Sequence, residues 1–374
     1  MIVAAPHVLT PRGLLADAAV AIEDGRIAGV LCGSDRADAV LDDGILAPGL
    51  IDLQVNGAFG IDFGAADAAG WRAVAHRLPE TGVTACLPTL TTAPVDDMAA
   101  GLRRAAEAMR GDGGTRILGV HAEGPFLSSS LPSAHVPATC DPTPERVDAL
   151  LEPGTLALLT LAPELAGALD AIPRVVAAGV VASIGHSDAT ADVVAAAADA
   201  GATMVTHLFN VQRGIHHREP GVAGQGLSDV RLTCGLILDG VHVADAVARI
   251  ALAAAPGRIA LVTDAIGAAG MPPGDYTLGA MRVTVREGQP PTLADGRLAG
   301  TVLRLDDAIG RAVALGASPA AAIEAASRVP ADVLGRSDLG RIATGAVADL
   351  VWLGPEFRTR ATWIGGELVH GALP

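Results

Sequence analysis

The 374-residue chain contains no lysine: all 26 of its basic residues are arginine. That absence excludes a Schiff-base lysine, a P-loop lysine and a carbamylated lysine bridging two metals. Hydrolytic chemistry, if present, falls to His, Asp, Glu and a metal. Aromatic residues are nearly as scarce, nine in all, and the net charge is −15 with no basic run. Such a chain has little material for base stacking and nothing to track a nucleic-acid backbone, so nucleic-acid partners are excluded. The same acidic field repels anionic ligands, so any anion site must be built locally. The four cysteines, Cys32, Cys86, Cys140 and Cys234, lie far apart with no CxxC pair. This argues against a zinc knuckle, a redox motif or a disulfide framework and predicts buried, reduced thiols. Half the residues are apolar, yet a stretch such as Ala244–Ala255 is broken by Asp245 and Arg249. No run reaches the ~18–20 uncharged residues of a spanning helix. No basic segment followed by an apolar one opens the chain. The expectation is a cytoplasmic enzyme with no membrane partner.

What is present is a rhythm. Residues 1–47 read as short strands and turns, Val3–Leu9, Ala18–Glu23 and Arg26–Leu31, the last pair joined at Asp24-Gly25. The C-terminus has the same character, with Asp349–Leu353, Ala361–Ile364 and Glu367–Val369 around Gly365-Gly366. Between them eight short apolar segments recur, most followed by an Ala-rich helical stretch: Gly49–Leu53, Thr84–Leu87, Arg116–Val120, Leu156–Leu161, Val180–Ile184, Thr203–Thr206, Leu232–Leu238 and Arg258–Val262. Eight is the number for a (β/α)8 barrel. A doubly wound sheet is the alternative, but no GxGxxG follows the first strand, and GVAGQG at 221–226 follows no strand at all. The fold class expected is therefore α/β, a TIM-like barrel over residues 48–340. A small β-sandwich module is expected from residues 1–47 and 341–374 together.

The residues closing these strands carry the chemistry. Gln54 and Asn56 end the first, His121 and Glu123 the third, and His186 the fifth. His207 and Asn210 end the sixth, Asp239 and His242 the seventh, and Asp264 the last. In this fold, polar side chains at the C-terminal strand ends converge on one site. One histidine after a strand is more often a loop residue than a ligand; four of them with Glu123 and Asp264, all at the same strand ends, form a pattern. A catalytic metal wants three protein ligands and an open position for water. Glu123, His186 and His207 supply one carboxylate and two imidazoles, a set suited to Zn²⁺ or a similar ion. Asp264 is placed as a general base, although position alone does not distinguish this from a cap on the following helix.

At these residues the chain resembles the N-acetylglucosamine-6-phosphate deacetylases of the amidohydrolase superfamily. The motifs run in order along nearly the whole chain: APGLIDLQVNG (47–57), GVHAEGPFL (119–127), SIGHSDA (183–189), THLFN (206–210), REPGVAG (218–224), LDGVHV (238–243), LVTDAIGAAG (261–270) and LAGT (298–301). TGAVADLVWL (344–353) is similar to the superfamily's C-terminal β module.

The resemblance implies hydrolysis of the N-acetyl group of N-acetylglucosamine 6-phosphate, giving glucosamine 6-phosphate and acetate. It implies Glu123, His186 and His207 as metal ligands and Asp264 as catalytic acid and base. Substrate contacts are implied for Ala134 and His135, near the acetyl group and sugar, and for Asp239 and His242 in the DGVH turn. Asn210 and the Val211 amide are implied at the phosphate, and Leu298, Ala299 and Gly300 along the sugar. Arg218 matches an arginine that reaches the phosphate of a neighbouring subunit, which implies at least a homodimer. Gln54 stands where many amidohydrolases hold a second metal with His-x-His. An amide is a poor ligand beside imidazole, so one divalent ion per chain is expected, zinc first, with iron, cobalt, manganese or cadmium as alternatives.

Departures from the family pattern are Val211-Gln212 after Asn210, the loop 128–134 (SSSLPSA) and Ile266. They bear on which sugar epimer or acyl group is accepted. Competing readings are a deacetylase of another N-acyl amino sugar, such as N-acetylgalactosamine 6-phosphate, and a non-catalytic sugar-phosphate-binding barrel. A metal-dependent aldolase fits the motifs poorly. His216 and His217 are expected to be loop residues without a role.

Overall fold

A computed structural model describes residues 1–33, 36–111, 113–131 and 138–374. All eight expected barrel strands are present and parallel: Leu50–Val55, Val83–Thr91, Val120–Glu123, Leu156–Leu161, Val181–Ile184, Met204–Val205, Thr233–Leu236 and Ile259–Leu261. Each pairs with the next, and the ring closes where the Asp264 N–H donates to the Gln54 carbonyl at 2.8 Å beside a parallel bridge between Val55 and Ala265. Arg116–Ile117 forms a separate short strand on Val83–Thr91, so the third barrel strand starts four residues later than its apolar run suggests. The first seven strands are each followed by a helix, from Ala68–Arg77 to Asp245–Ala254.

The period-two alternation of a strand decides what each residue faces. Ile51, Leu53, Ala85, Leu87, Leu158, Met204, Ala260 and Val262 fill one buried cluster inside the ring. Their neighbours Leu50, Cys86, Leu159, Val205 and Leu261 pack in a second cluster against the helices. Both faces of these strands are covered, which is why the sequence shows apolar runs there and not clean alternation.

The last strand departs from the rhythm. Between it and the helix Leu305–Ala314 lies an antiparallel hairpin, Gly274–Leu278 with Met281–Val285. Leu278, Val283 and Val285 bury a small core of their own against Ile266, Ala268 and Ala299. The hairpin therefore carries residues 297–300 back over the barrel mouth. Gly300 is required there: its φ is +62°, and a Cβ would stand 2.4 Å from Ile266 Cγ2.

The two termini combine in one eight-stranded sheet. Leu350–Leu353 pairs antiparallel with Ile45–Pro48, which lies next to Ile2–Thr10. Its buried side includes Val3, Val20, Leu46, Trp352 and Trp363. Among the described residues no helix is long and apolar enough to cross a membrane. The cysteine expectation needs correction. All four thiols are free, but only Cys86 and Cys234 are buried; Cys140 is half-buried and Cys32 is exposed at the end of the strand Arg26–Cys32.

Candidate metal and hydrolytic site

The alternation that puts Val120 and Ala122 against the helices turns His121 and Glu123 into the ring. They occupy different depths. His121, 1% exposed, sits in the lower layer, with Nδ1 at 3.1 Å from the Leu53 carbonyl and Nε2 at 2.7 Å from the Thr160 hydroxyl. A carbonyl can only accept, so Nδ1 carries the proton and Nε2 receives Thr160. Burial pushes its pKa down to about 4, and the ring is neutral. His121 thus leaves the group of four histidines that strand position suggested: it is a buried strut beneath the site.

Glu123, one pleat higher, meets His186 and His207. Glu123 Oε1 lies 3.0 Å from His186 Nε2 and 2.9 Å from His207 Nε2, and the two Nε2 atoms are 3.0 Å apart. All three residues are buried. Three such atoms in mutual contact cannot all be bare acceptors; a proton or a cation must lie among them. Without a cation the nearby carboxylates favour protonation of His207. Burial lowers its affinity, but the Glu123 and Asp264 carboxylates outweigh that and hold its pKa above the ordinary value. For His186 burial dominates and the pKa is lowered. A tetrahedral site with bonds of about 2.0–2.1 Å has donor separations of about 3.3 Å. The triad, with one carboxylate oxygen and two imidazole nitrogens at 2.9–3.0 Å, lies slightly inside that spacing, and its donor set suits a single divalent ion.

Gln54 lies between the triad and Asp264. Its Nε2 donates to Glu123 Oε1 at 3.0 Å and to Asp264 Oδ1 at 3.2 Å, tying the two carboxylates together with an amide. Asn56 Nδ2 donates to the same Asp264 oxygen at 2.7 Å. Asp264 Oδ1 is therefore saturated, and Oδ2 is the oxygen left for chemistry. Burial, with the nearby Glu123 charge, raises the Asp264 pKa to about 7 against the opposing pull of His207 and His242. Asp264 caps no helix; the first helix after it starts at Leu305. His186, His207 and Asp264 all have positive φ, 48°, 25° and 49°. Such backbone strain at non-glycine residues collects where a fold holds side chains for function.

A pocket of about 280 Å³ opens over these groups. Asn56, Asn210, Val211, His242 and Leu298–Gly300 line it with the triad and Asp264. His242 is aimed by Asp239, whose Oδ2 is 2.6 Å from its Nδ1 while Oδ1 accepts the backbone N–H of Val241 and His242. Burial pushes the Asp239 carboxyl up, yet the His242 ring and those two amides together bring it below its ordinary value. Asp239 itself faces His242 and an adjoining cavity and does not line this pocket. Gln212, one of the departures, braces the turn below the pocket: its Oε1 accepts the Phe209 N–H at 3.1 Å and its Nε2 donates to the Thr206 carbonyl at 2.5 Å. Arg218 is exposed and does not line the pocket of its own chain. His216 and His217 are exposed loop residues with rings 4.3 Å apart. Ala134 and His135 lie outside the described residues. Sequence reasoning missed Thr91, Leu278 and Arg297 in the pocket wall. Arg297 precedes LAGT directly, and only the hairpin brings it over the mouth.

Comparison with known proteins places the chain in a family. The amidohydrolase family model matches residues 45–369. The chain is 39% identical over 341 residues to the N-acetylglucosamine-6-phosphate deacetylase of Bos taurus, spanning 87% of this chain and 83% of that one. It is also 39% identical over 376 residues to the N-acetylgalactosamine-6-phosphate deacetylase of Escherichia coli O157:H7, spanning 97% and 98%. A mutant N-acetyl-D-glucosamine-6-phosphate deacetylase from Mycobacterium smegmatis, solved in complex with N-acetyl-D-glucosamine-6-phosphate, superposes with a TM-score of 0.94 at 36% identity and 99% coverage of both chains.

Proposed function

This chain belongs to the amidohydrolase family and, within it, to the N-acetylglucosamine-6-phosphate deacetylases, and from that premise we propose how its residues divide the reaction. The chain hydrolyses the N-acetyl group of N-acetylglucosamine 6-phosphate, releasing acetate and glucosamine 6-phosphate. The observation that carries this reading is a buried carboxylate, Asp264, with one oxygen tied down by Gln54 and Asn56, beside a Glu-His-His donor set at the floor of a pocket.

Glu123, His186 and His207 would hold one divalent ion, which we assign as zinc, with iron, cobalt, manganese or cadmium as alternatives. When bound, such an ion polarises the amide carbonyl and makes water acidic enough to attack near neutral pH. Asp264 Oδ2 takes the proton released by the attacking water and delivers it to the departing nitrogen. A raised pKa suits a group that must both accept and return a proton near neutrality. Gln54 keeps the site to one ion, because its amide already occupies both carboxylates.

For the substrate, Asn210 and the Val211 amide take the phosphate, and His242, aimed by Asp239, adds a further contact. The Leu298–Gly300 backbone lines the sugar, and Ala134 and His135 contact the acetyl group. Arg218 serves the pocket of a neighbouring subunit, so the working unit is at least a homodimer: exposed on its own chain, it is free to act on another. We place the enzyme in the cytoplasm and read residues 1–47 with 341–374 as a module apart from the barrel at 48–340. The relative of equal identity named for the galactosamine epimer makes that sugar the second reading.

The test is acetate and amine release from both 6-phosphorylated epimers and from unphosphorylated N-acetylglucosamine, with metal analysis. Turnover should require the phosphate, favour the glucosamine epimer, stop with chelator and return with one equivalent of divalent ion. Two tightly bound ions per chain would overturn the Gln54 argument. Failure to turn over any N-acetyl sugar phosphate would overturn the reading itself.

A further inference from the structure

We propose that Asn56 touches the substrate, its side-chain carbonyl oxygen accepting the N–H of the amide being cleaved and then of the departing amine. This rests on the deacetylase reading above.

The orientation of the Asn56 amide follows from its partners. Asp264 Oδ1 receives Gln54 Nε2 at 3.2 Å and Asn56 Nδ2 at 2.7 Å. An oxygen already accepting from Gln54 is met by the nitrogen end of Asn56, and the carbonyl end is turned away from it. The backbone of Asn56 is fully used: its N–H donates to the Ala265 carbonyl at 2.7 Å, and its carbonyl accepts from Phe63 at 2.9 Å. What remains is Oδ1. It is buried, on a residue only 2% exposed, and has no partner among the described residues. Native proteins leave few buried acceptors unpaired, and each exception calls for a reason.

The reason lies in the pocket that Asn56 helps to line. An amide entering it loses the water that accepted its N–H. Glu123, His186 and His207 are turned toward one another, and Asp264 is committed to moving a proton. Asp264 must reach the leaving nitrogen, and Asn56 is bonded directly to Asp264, so the same nitrogen is within its range. Water oxygen adds to the acetyl carbon, the C–N bond breaks, and its electron pair goes to nitrogen, which takes the proton carried by Asp264. The N–H already on that nitrogen stays in place and points to Asn56 Oδ1. As nitrogen gains a proton this bond becomes charge-assisted and strengthens. Stabilisation that grows toward the transition state raises kcat and not affinity alone.

The test compares N-acetylglucosamine 6-phosphate with its ester analogue, 2-O-acetylglucose 6-phosphate, in which oxygen replaces the amide N–H. Acetate release is measured with metal-loaded enzyme on the pH plateau for wild type, Asn56→Ala and Gln54→Ala. Gln54→Ala also removes a donor from Asp264 Oδ1 but leaves the Asn56 carbonyl in place. Asn56→Ala should lower kcat/KM on the amide by about 10- to 100-fold, and by roughly tenfold more than on the ester. Gln54→Ala should lower both by factors agreeing within about threefold. Equal losses for Asn56→Ala on the two substrates, or the same imbalance in Gln54→Ala, overturn the assignment while leaving the deacetylase reading intact. A wild type that binds metal but does not turn over the amide overturns both. Metal content and thermal melts establish folding, and Asn56→Ser carries the same comparison if the alanine variant does not fold.

Discussion

Burial of Asp52 should give this chain a pH dependence of stability opposite to that of a salt-bridged carboxylate. Asp52 is 2% exposed on the first barrel strand. Its Oδ1 accepts the N–H of Gln54 at 3.1 Å and of Thr263 at 3.3 Å, and its Oδ2 accepts the Thr263 hydroxyl at 2.6 Å. It thereby ties the strand carrying Gln54 to the residue before Asp264. Burial outweighs those bonds and raises its pKa from 3.8 to about 6. Between these values the unfolded chain has lost the proton and the folded chain still holds it. The folded state thus binds more protons, and stability falls as pH rises through the window. A gap of about two units at 1.36 kcal/mol each amounts to about 3 kcal/mol, fully present below pH 4 and lost above pH 6. With an unfolding entropy near 2.1 cal/mol/K per residue, that is about 4 °C in Tm for a chain of this length. Asp52→Asn is neutral throughout and keeps an acceptor and a group able to face Thr263. Calorimetry of wild type and variant from pH 3.5 to 7.5 isolates the effect, because the other titrating groups cancel in the difference. The variant's Tm should gain about 4 °C on the wild type between pH 4 and 7 and then level off. A difference that does not change with pH, or one that falls as pH rises, would refute the reasoning.

Other outcomes are equally specific. Asp264→Asn should keep its metal and lose about 10²–10⁴-fold in kcat, the usual contribution of a positioned acid-base group; near wild-type kcat by amine release would remove Asp264 from its role. Inactive Asp264→Asn and impaired Arg218→Ala proteins should regain activity when mixed and allowed to exchange subunits, since one mixed pocket then has both groups. No recovery in subunits proven to exchange would place Arg218 outside the neighbouring site. Trp71 is fully buried, donates Nε1–H to the Phe63 carbonyl at 2.9 Å and meets the Phe63 ring edge-on at 5.0 Å. Trp71→Ala should therefore destabilise by about 3–5 kcal/mol in urea melts; a change well under 1 kcal/mol would mean that the first helix is not anchored through it.

The sequence alone determined the ring and much of its chemistry, because both are written in local order. Apolar segments at helical intervals specify eight covered strands, and a polar residue just past most of them lands on the same rim whatever its distant neighbours are. Glu123, His186, His207 and Asp264 were legible for that reason. What strand position could not separate was depth. His121 and Glu123 share a face two residues apart, and only the layering of the closed ring makes one a neutral strut and the other part of the donor set. Hydrogen-bond direction was also beyond the sequence: Gln54 and Asn56 act through the Asp264 oxygen that both reach, a meeting across more than 200 residues. The same holds for Arg297, carried over the mouth by a hairpin, and for Ile45–Pro48 finding Leu350–Leu353 across the length of the barrel. Periodicity acts between neighbours along the chain. Which buried amide faces which carboxylate is decided by packing that closes only when the whole chain has folded.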